Sequence, residues 1–467
     1  MKFLAISPEA GRWKQPSPLA QVVNHMTDAF ARVHVEVITC SPFYTHQLGD
    51  FSAFQCVFEG IEPLHHQFFQ VWKGKDLRHT YIYSEEFFNR NAIYGENGEA
   101  FSDNHIRFSF LASASLFYCQ QINYKPSAVL GHEWGAAFTG ALMKTHFHSY
   151  YSEISFFFTV HNINYDFHLA ASEIEKVGLN PADYNMDGYE FWGKVSLLKV
   201  GMLYAKNVLF PSQGYCDSIV HSSLPGGLSG FLTHNKSKLL GVQFGVSYNL
   251  WDFNKKTGLP IPKAKENARH NFEKHLGVEF ENRLVIYTHL DEEAGKTSET
   301  LATIVSDIIK LQTFLVIGIL QEHPDWNYYH SLAKEYPKHI ALLDISHSKS
   351  ALRLSLAGSD LLFASNLQEP SASLILKALA GGTVPLSGKD IGVANSLHNY
   401  IGDATFADAI LVEDSSAPHQ MLSRLREVEY LFIHNKVIWN QIMVNAYKFR
   451  YEWDRTIAKY LLTLGEN

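Results

Sequence analysis

The sequence has few of the features that would assign a chain of 467 residues to a functional class at once. Its four cysteines are scattered, with no CxxC pair and no Cys/His cluster, so a zinc or iron–sulfur site has no support and no metal is expected. Lys and Arg together number 39 and are outnumbered by 47 Asp and Glu. This balance excludes the broad basic surface typical of proteins that bind nucleic acid or an anionic membrane.

Long apolar runs are missing as well. The longest, such as FLVIGIL at 314–320, are much shorter than the roughly 20 residues of a membrane helix. The N-terminus has one lysine before a short apolar run, which is unlike a signal peptide. We therefore expect a soluble, cytoplasmic protein with neither nucleic acid nor a membrane as a partner.

Several catalytic signatures are absent from the sequence. GxGxxG and GxxxxGK[ST] do not occur, so the common dehydrogenase and P-loop nucleotide folds have no support. No GxSxG elbow occurs, which removes the usual serine hydrolase. His132 is followed by Glu133, but no second ligand lies three or four residues away, so a helical metal pair is missing. No cofactor is expected.

Apolar and aromatic residues are abundant, at 46 % and 13 %. Aromatic surfaces suit sugars and bases, whereas most rings in most proteins are core residues, and composition alone leaves both interpretations open. The apolar residues form two series of short strand-like runs separated by helix-like segments, which predicts two α/β domains with doubly wound parallel sheets. The runs lie at 2–7, 33–40, 127–132, 156–162, 206–212 and 238–245, and at 283–289, 313–320, 339–345, 360–365, 382–387 and 409–414.

The boundary between the two series is expected near residue 250, because 251–267 is rich in proline and lysine and resembles a linker. We predict an N-terminal domain over 1–250, a C-terminal domain over 251–436 and a terminal helix over 437–464 within the segment 437–467. In such pairs of domains a ligand binds where the strand C-termini of both sheets face a cleft.

Two groups of polar residues follow predicted strands. His161 and Asn162 come directly after the apolar run FFFTV, where a side chain can enter a site, although a helix N-cap by Asn162 beside a structural histidine is an equally good interpretation. Glu369 precedes a predicted helix over 371–381 whose first turn contains Ser371 and Ser373. That helix start can bind an anion, or simply place an acid near the helix dipole.

Six segments follow one another along the chain: RNAIYGENGEAFSDNHIRFSF (90–110), TVHNINYDF (159–167), 178–212, GVQFGVSYNLWDF (241–253), EPSASLILKALAGGTVP (369–385) and FRYEW (449–453). In these segments, and in their order, the chain resembles bacterial glycogen synthase and plant starch synthase over nearly its whole length. The resemblance implies a GT-B fold of two Rossmann-like domains facing a cleft, with a C-terminal helix returning to the N-terminal domain. It also implies transfer of glucose from ADP-glucose to an α-1,4-glucan with retention of configuration, without a metal.

The resemblance also implies site residues. Glu369 and His161 match residues that hold the hydroxyls of the transferred glucose in the family, and in a transfer reaction the backbone and ring of His161 would face its anomeric region; these are the candidate catalytic residues. The remaining candidates, which would bind substrate, are Glu9, Tyr94, Glu133, Asn162, His289, Lys296, Ser371, Ala372 and Ser373.

The chain departs from the family where the family binds the donor phosphates. The lysine and paired glycines of "KTGGL" become Gln15, Ser17 and Pro18, and proline has no N–H to donate. The arginine and lysine of "SRL--QKG" become His289 and Ala294, with Lys296 two residues further on and acids at 291–293. In three further motifs Glu133 replaces an aspartate, SAS at 371–373 replaces "CGL", and SGKDIG at 387–392 replaces "TGGL".

These departures predict a glycogen-synthase-like glycosyltransferase with an eroded donor-phosphate site, impaired or inactive towards ADP-glucose and retaining sugar or glucan binding, with a protein partner if it is a pseudoenzyme. The alternatives are an active retaining enzyme with a changed nucleotide-sugar donor, in which His289 and Lys296 replace the missing cations, and an ordinary α-1,4-glucan synthase whose loops align differently.

Overall fold

The structure is a computed structural model that describes residues 1–14, 16–74, 78–221, 227–290, 295–345, 349–365, 370–389 and 392–465. Its strands are β1 (Lys2–Ile6), β2 (Glu36–Pro42), β3 (Phe54–Ile61), β4 (Phe68–Gly74), β5 (His79–Tyr83), β6 (Gly95–Glu96), β7 (Glu99–Ala100), β8 (Ala128–His132), β9 (Ser155–Thr159), β10 (His168–Ala170), β11 (Glu190–Phe191), β12 (Lys194–Ser196), β13 (Asn207–Phe210), β14 (Leu239–Gly241), β15 (Leu284–Leu290), β16 (Thr313–Ile319), β17 (Ile340–Asp344), β18 (Leu361–Phe363), β19 (Val384–Gly388) and β20 (Ile410–Val412).

The α-helices alternate with these strands in much of the chain. They are α1 (Pro18–Arg32), α2 (Thr45–Leu48), α3 (Glu85–Phe88), α4 (Asn104–Gln121), α5 (Phe138–Lys144), α6 (His148–Tyr151), α7 (Leu197–Tyr204), α8 (Gln213–His221), α9 (Ser229–His234), α10 (Tyr248–Trp251), α11 (Ile261–Leu276), α12 (Gly295–Ile308), α13 (Trp326–Glu335), α14 (Lys349–Gly358), α15 (Ser373–Ala380), α16 (Pro418–His434), α17 (Lys436–Lys448) and α18 (Trp453–Gly465).

The chain packs into two compact units. Unit 1 contains Met1–Pro211, Cys216–Val242 and the terminal segment from Trp453, and unit 2 contains Ser212–Tyr215 and Gln243–Glu452. The change of unit after Val242 lies ahead of the proline-rich stretch at 251–267. It comes earlier than sequence composition indicated because Val246 and Tyr248 are already buried in the core of unit 2.

Unit 1 is built on a sheet with the strand order β14-β13-β9-β8-β1-β2-β5-β4-β3. The strands from β14 to β5 pair in parallel and are mostly buried, as apolar runs covered on both faces should be. The last three, β5, β4 and β3, pair antiparallel, a mixed arrangement that sequence reasoning did not include. The edge strand β3 alternates between half-buried and exposed residues, so it has no continuous apolar run to signal it.

Unit 2 is built on a parallel sheet with the order β17-β16-β15-β18-β19-β20. Its central strand β15 is flanked by β16 and β18, and the paired residues of all three are largely buried. Every apolar run predicted from the sequence, in both units, overlaps an observed strand. The α/β fold class with doubly wound parallel sheets is therefore confirmed.

The C-terminal helix predicted over 437–464 is instead two helices, α17 and α18, separated at 449–452. The backbone of Tyr451 is held by unit 2: its N–H donates to Tyr248 Oη at 2.9 Å, and its carbonyl accepts from Val246 N–H at 3.0 Å. Because neither the N–H nor the carbonyl of Tyr451 is available for a helical hydrogen bond, the helix is interrupted there. Only α18 belongs to unit 1.

Candidate functional site

The candidate site of unit 1 lies at the carboxyl edge of three adjacent strands, β1, β8 and β9. Ile6 pairs with Gly131, and His132 pairs with Thr159, so the segments that leave these strands start side by side. Glu9, Glu133 and His161 follow the three strands by one to three residues. Binding sites of parallel α/β sheets are found at this edge, and three of the candidates predicted from the sequence are brought together there.

Glu133 has a backbone conformation that is rare for a residue other than glycine, with φ at +61°. Its Oε1 accepts hydrogen bonds from the backbone N–H groups of His161 at 2.6 Å and Asn162 at 3.1 Å. Its Oε2 is buried and has no hydrogen-bond partner among the described residues. Burial raises the pKa of Glu133 to about 8, and the two amides only partly oppose this shift. The side chain is therefore mostly a neutral acid at pH 7.

Glu9 and Tyr94 are joined by a hydrogen bond, in which Tyr94 Oη donates to Glu9 Oε1 at 2.5 Å. Ser7 Oγ donates to the carbonyl of Glu9 at 2.8 Å and fixes the turn after β1. Burial raises the pKa of Glu9 more than the hydroxyls of Ser17 and Tyr94 lower it. Glu9 also raises the pKa of Glu133, which shows that the two carboxyls share one electrostatic environment.

His132 and His161 form a neutral pair. His132 Nδ1 and His161 Nε2 are 3.1 Å apart, so one ring donates and the other accepts. Burial lowers the pKa of His132 to about 4, and burial together with the neighbouring ring lowers that of His161 well below its usual range. His161 therefore enters the site as a neutral ring in a fixed orientation.

Aromatic rings line the same edge. Trp134 stacks on Phe167 with centroids 5.0 Å apart, and its ring lies 5.3 Å from that of Tyr94 and 5.0 Å from that of Phe108. Some of the aromatic excess therefore surrounds the site, although Phe108 is a core residue.

Two supporting residues were missed by sequence reasoning. Asn104 donates through Nδ2 to the carbonyl of Tyr94 at 2.8 Å, and the buried Arg107 donates to the carbonyl of Ile93 and to Asn104 Oδ1. They hold the segment that carries Tyr94. The available signal was their spacing of three residues on α4, which places both side chains on one helix face.

Unit 2 contains the other candidates. His289, in β15, has Nδ1 2.9 Å from Tyr287 Oη. Ser371 is half-buried, and its carbonyl accepts from Gln243 Nε2 at 2.7 Å. Ala372 has φ at +50° and precedes α15, whose first residue is Ser373, so the helix predicted over 371–381 is shorter at both ends.

The remaining candidates fall outside what the structure describes. Glu369 lies outside the described residues, as do Gln15, Ala294 and the acids at 291–293, and Lys296 is described only as part of the backbone of α12. Within the described ranges, no three His, Cys, Asp or Glu side chains are grouped so that they could hold a metal ion. No helix in those ranges is long and apolar enough to cross a membrane.

The start of α1 occupies the position where the sequence departs from the phosphate-binding motif. Ser17 is the N-cap, and its Oγ accepts from the N–H of Ala20 at 3.0 Å. The Ser17 carbonyl accepts from Gln21 N–H at 2.9 Å, and Pro18 has no N–H. The Gln21 bond is the first intrahelical bond of α1, so two of the donors that a helix start would otherwise offer, those of residues 18 and 20, are missing or already used.

The chain is similar in sequence to known proteins. Residues 2–234 match the family model of the starch synthase catalytic domain. A glycogen synthase of Geotalea uraniireducens is 24 % identical over 478 residues, covering 98 % of this chain and 97 % of that protein. Another, from Syntrophotalea carbinolica, is 25 % identical over 403 residues, covering 84 % of this chain and 83 % of that protein.

A solved structure shares the fold. The catalytic domain of starch synthase IV from Arabidopsis thaliana, bound to ADP and acarbose, aligns with a TM-score of 0.83 at 18 % sequence identity, covering 99 % of this chain and 98 % of that one. At this identity the likeness shows the fold alone, and the chemistry of the site has to be argued from its residues.

Proposed function

This chain belongs to the family of glycogen and starch synthases, which are glycosyltransferases with the GT-B fold, and from that premise we propose that it binds glucose units of a glucan while transferring glucose from ADP-glucose poorly or not at all. The binding site is the carboxyl edge of β1, β8 and β9, with Glu9, Tyr94, Glu133 and His161 as the sugar contacts.

The observation that carries this proposal is the start of α1. A diphosphate needs several unoccupied N–H donors in a glycine-rich turn. Ser17 Oγ instead accepts from the N–H of Ala20, and Pro18 supplies no donor. The same loop in the family carries a lysine and two glycines, so a site built on this chain offers the phosphates fewer donors and less positive charge.

The replacement at residue 289 also weakens the binding of the donor phosphates. A histidine stands at 289 in place of the family's arginine, and its Nδ1 is engaged by Tyr287 Oη. Loss of one well-placed electrostatic stabiliser typically costs about 10²–10³ in rate. Two such losses leave little transfer from ADP-glucose unless Lys296 compensates.

The sugar side of the site supports binding. A pyranose presents hydroxyl groups and apolar C–H faces, and the carboxyl edge offers hydrogen-bonding groups on Glu133 and Tyr94 beside the ring of Trp134. If transfer occurs, Glu369 would orient the hydroxyls of the donor glucose, His161 would face the anomeric carbon, and the start of α15 with Ser371 and Ser373 would hold the distal phosphate.

Transfer of radiolabelled glucose from ADP-glucose and from UDP-glucose to glycogen tests the proposal. We expect slow or no incorporation from ADP-glucose. Rapid incorporation from ADP-glucose would show an ordinary α-1,4-glucan synthase and contradict the proposal. Incorporation from UDP-glucose alone would instead identify an active enzyme with a changed donor.

A variant that restores the family's phosphate-binding residues provides a second test of the proposal. The triple substitution Q15K/S17G/P18G restores the family's lysine and paired glycines, and calorimetric titration should show tighter ADP binding than in the unmodified chain. The matched control is N180G/P181G, because Asn180 and Pro181 form the same cap-and-proline arrangement at another helical turn of unit 1. Micromolar ADP binding by the unmodified chain would contradict the loss of the phosphate site.

A further inference from the structure

The hairpin formed by β11 and β12 places a tryptophan where hairpins normally place a small residue. Phe191 pairs with Lys194, so Trp192 and Gly193 form a two-residue turn, and their φ angles are +52° and +78°. Positive φ at both positions is the mark of a type I′ turn, for which Asn-Gly and Asp-Gly are preferred. A bulky residue at positive φ is a true outlier, yet the Trp192 side chain is 81 % exposed and gains little burial from it.

The turn is held firmly in place. Glu190 Oε1 accepts from the N–H of Gly193 at 2.7 Å. The buried Lys199 lies beneath, and its Nζ donates to the carbonyl of Glu190 at 2.7 Å and to that of Met186 at 3.0 Å. The ammonium thus ties the hairpin to the Met186 segment, and the Met186 side chain is itself 83 % exposed.

The rings beside Trp192 fix its orientation. Phe191 stacks in parallel on His168, with centroids 5.3 Å apart and an interplanar angle of 9°. Trp192 meets Phe191 edge-on at 6.3 Å. On the other side, a Cβ added to Gly227 would lie 3.2 Å from Trp192 Nε1, so the Gly227 backbone approaches the indole closely. The indole is therefore exposed to solvent, and these contacts restrict its rotation.

We propose that the exposed face of Trp192 on this hairpin is a second carbohydrate-binding surface, which takes the pyranose rings of an α-glucan chain outside the carboxyl-edge site. The inference rests on the proposed function in its choice of ligand. Strained backbone conformations persist where the surrounding structure holds them in place, and they cluster at functional sites. A fixed, exposed indole presents the flat apolar face on which sugar C–H groups stack.

The charges of the region favour a neutral ligand. Glu190 and Lys194 flank the turn with one charge of each sign and can bond sugar hydroxyls. The chain as a whole carries a formal charge of −8, which disfavours a polyanion. A glucan with many rings would also gain by contacting two surfaces of one chain.

The test measures glucan binding without any nucleotide sugar, so it is independent of glucose transfer. Retardation of the full chain in gels containing glycogen, and titration with maltoheptaose, are compared for the unmodified chain, Trp192→Asn and Phe406→Asn. Asparagine suits the turn and removes only the indole. Phe406 is the matched control because it is another exposed aromatic, at 72 %, in unit 2.

We expect Trp192→Asn to weaken glycogen binding by roughly two- to tenfold, the size of one ring contact, and Phe406→Asn to leave it unchanged. Equal retardation of Trp192→Asn and the unmodified chain would overturn the second surface and leave the proposed function standing. No retardation of the unmodified chain would overturn both. A second copy of the chain is the other possible occupant of this surface, and sedimentation of the same variants tests for it. A change of oligomeric state on losing Trp192 would identify a contact between copies and overturn the inference.

Discussion

Glu133 Oε1 lies 2.6 Å from the backbone nitrogen of His161, and this hydrogen bond joins the ends of two adjacent strands, β8 and β9. The acceptor is a buried acid with a raised pKa, and the donor belongs to a residue whose ring is held neutral. The orientation of the 161–162 turn therefore depends on one carboxyl group.

Replacing this carboxyl group should separate its role as an acceptor from its role as an acid. Glu133→Gln keeps a carbonyl oxygen for the two N–H groups and should change the free energy of unfolding little. Glu133→Ala leaves both buried donors without an acceptor and should cost about 2–3 kcal/mol. Urea unfolding at pH 5 measures both, because close to the unfolded carboxyl's pKa of 4.5 the titration of Glu133 contributes little to the comparison; Glu175→Ala, an exposed glutamate of unit 1, is the control. Equal losses for Gln and Ala would contradict the role as an acceptor.

The raised pKa of Glu133 predicts a pH dependence of definite sign. The folded state holds its proton up to about pH 8, whereas the unfolded carboxyl loses it near 4.5. Between those values the folded state binds more protons, so the contribution of Glu133 to stability falls as the pH rises, by at most about 1.4 kcal/mol per pH unit.

The difference in unfolding free energy between the unmodified chain and Glu133→Gln isolates this effect, because the glutamine does not titrate. Measured at intervals from pH 5 to pH 8.5, the difference should decline steadily. A difference that stays constant over this range would show that the carboxyl is already ionised in the folded protein.

The His132–His161 pair predicts a distinct spectroscopic result. Because both pKa values are lowered, each ring should remain neutral at pH 5.5, with one protonated and one unprotonated nitrogen. Long-range ¹H–¹⁵N correlation spectra detect this pattern, and loss of one set of signals in His132→Asn assigns them. Two protonated nitrogens on either ring at that pH would contradict the neutral pair.

Those features of the fold that depend on short stretches of sequence could be predicted from the sequence alone. Continuous apolar runs located the parallel strands, and His161 was selected because it follows the apolar run FFFTV. Glu133 was named as a site residue only through the resemblance to the glycogen synthase family, and its hydrogen bond to His161 N–H is a long-range contact that no local pattern contains.

The missed features have physical reasons as well. The edge strand β3 is half-exposed and lacks an apolar run. The apolar spacing of 437–464 continues through the break at Tyr451, because the break is caused by contacts with Val246 and Tyr248, which are distant in sequence. The Trp-Gly turn at 192–193 lacks the Asn-Gly signal of a type I′ hairpin, so its strain is visible only in the structure.

Lys265 predicts a pH dependence of the opposite sign in unit 2. Its buried Nζ donates to Gly381 O at 2.9 Å and Thr383 Oγ1 at 2.7 Å, and burial lowers its pKa to about 7. Between pH 7 and the usual lysine value of 10.5 the unfolded state binds more protons, so stability rises with pH by at most about 1.4 kcal/mol per unit.

Lys265→Met should remove this rise between pH 7 and pH 9.5, as measured by the midpoint of urea unfolding. Lys263→Met, an exposed position on the same helix α11, is the control and should keep it. An unchanged pH profile in Lys265→Met would show that the ammonium stays charged in the folded protein throughout this range.

The strained turn at Trp192 makes a prediction about stability that is independent of any ligand. A left-handed backbone costs a bulky L-residue about 1–2 kcal/mol, and asparagine tolerates it far better. Trp192→Asn should therefore raise the free energy of unfolding by roughly 1 kcal/mol. Trp192→Val, which also removes the ring but is β-branched, should lower it, because valine disfavours positive φ still more. Thermal unfolding of the two variants separates the backbone from the ring. If both variants lower stability, the indole contacts outweigh the strain, and the argument that the strained tryptophan serves binding fails.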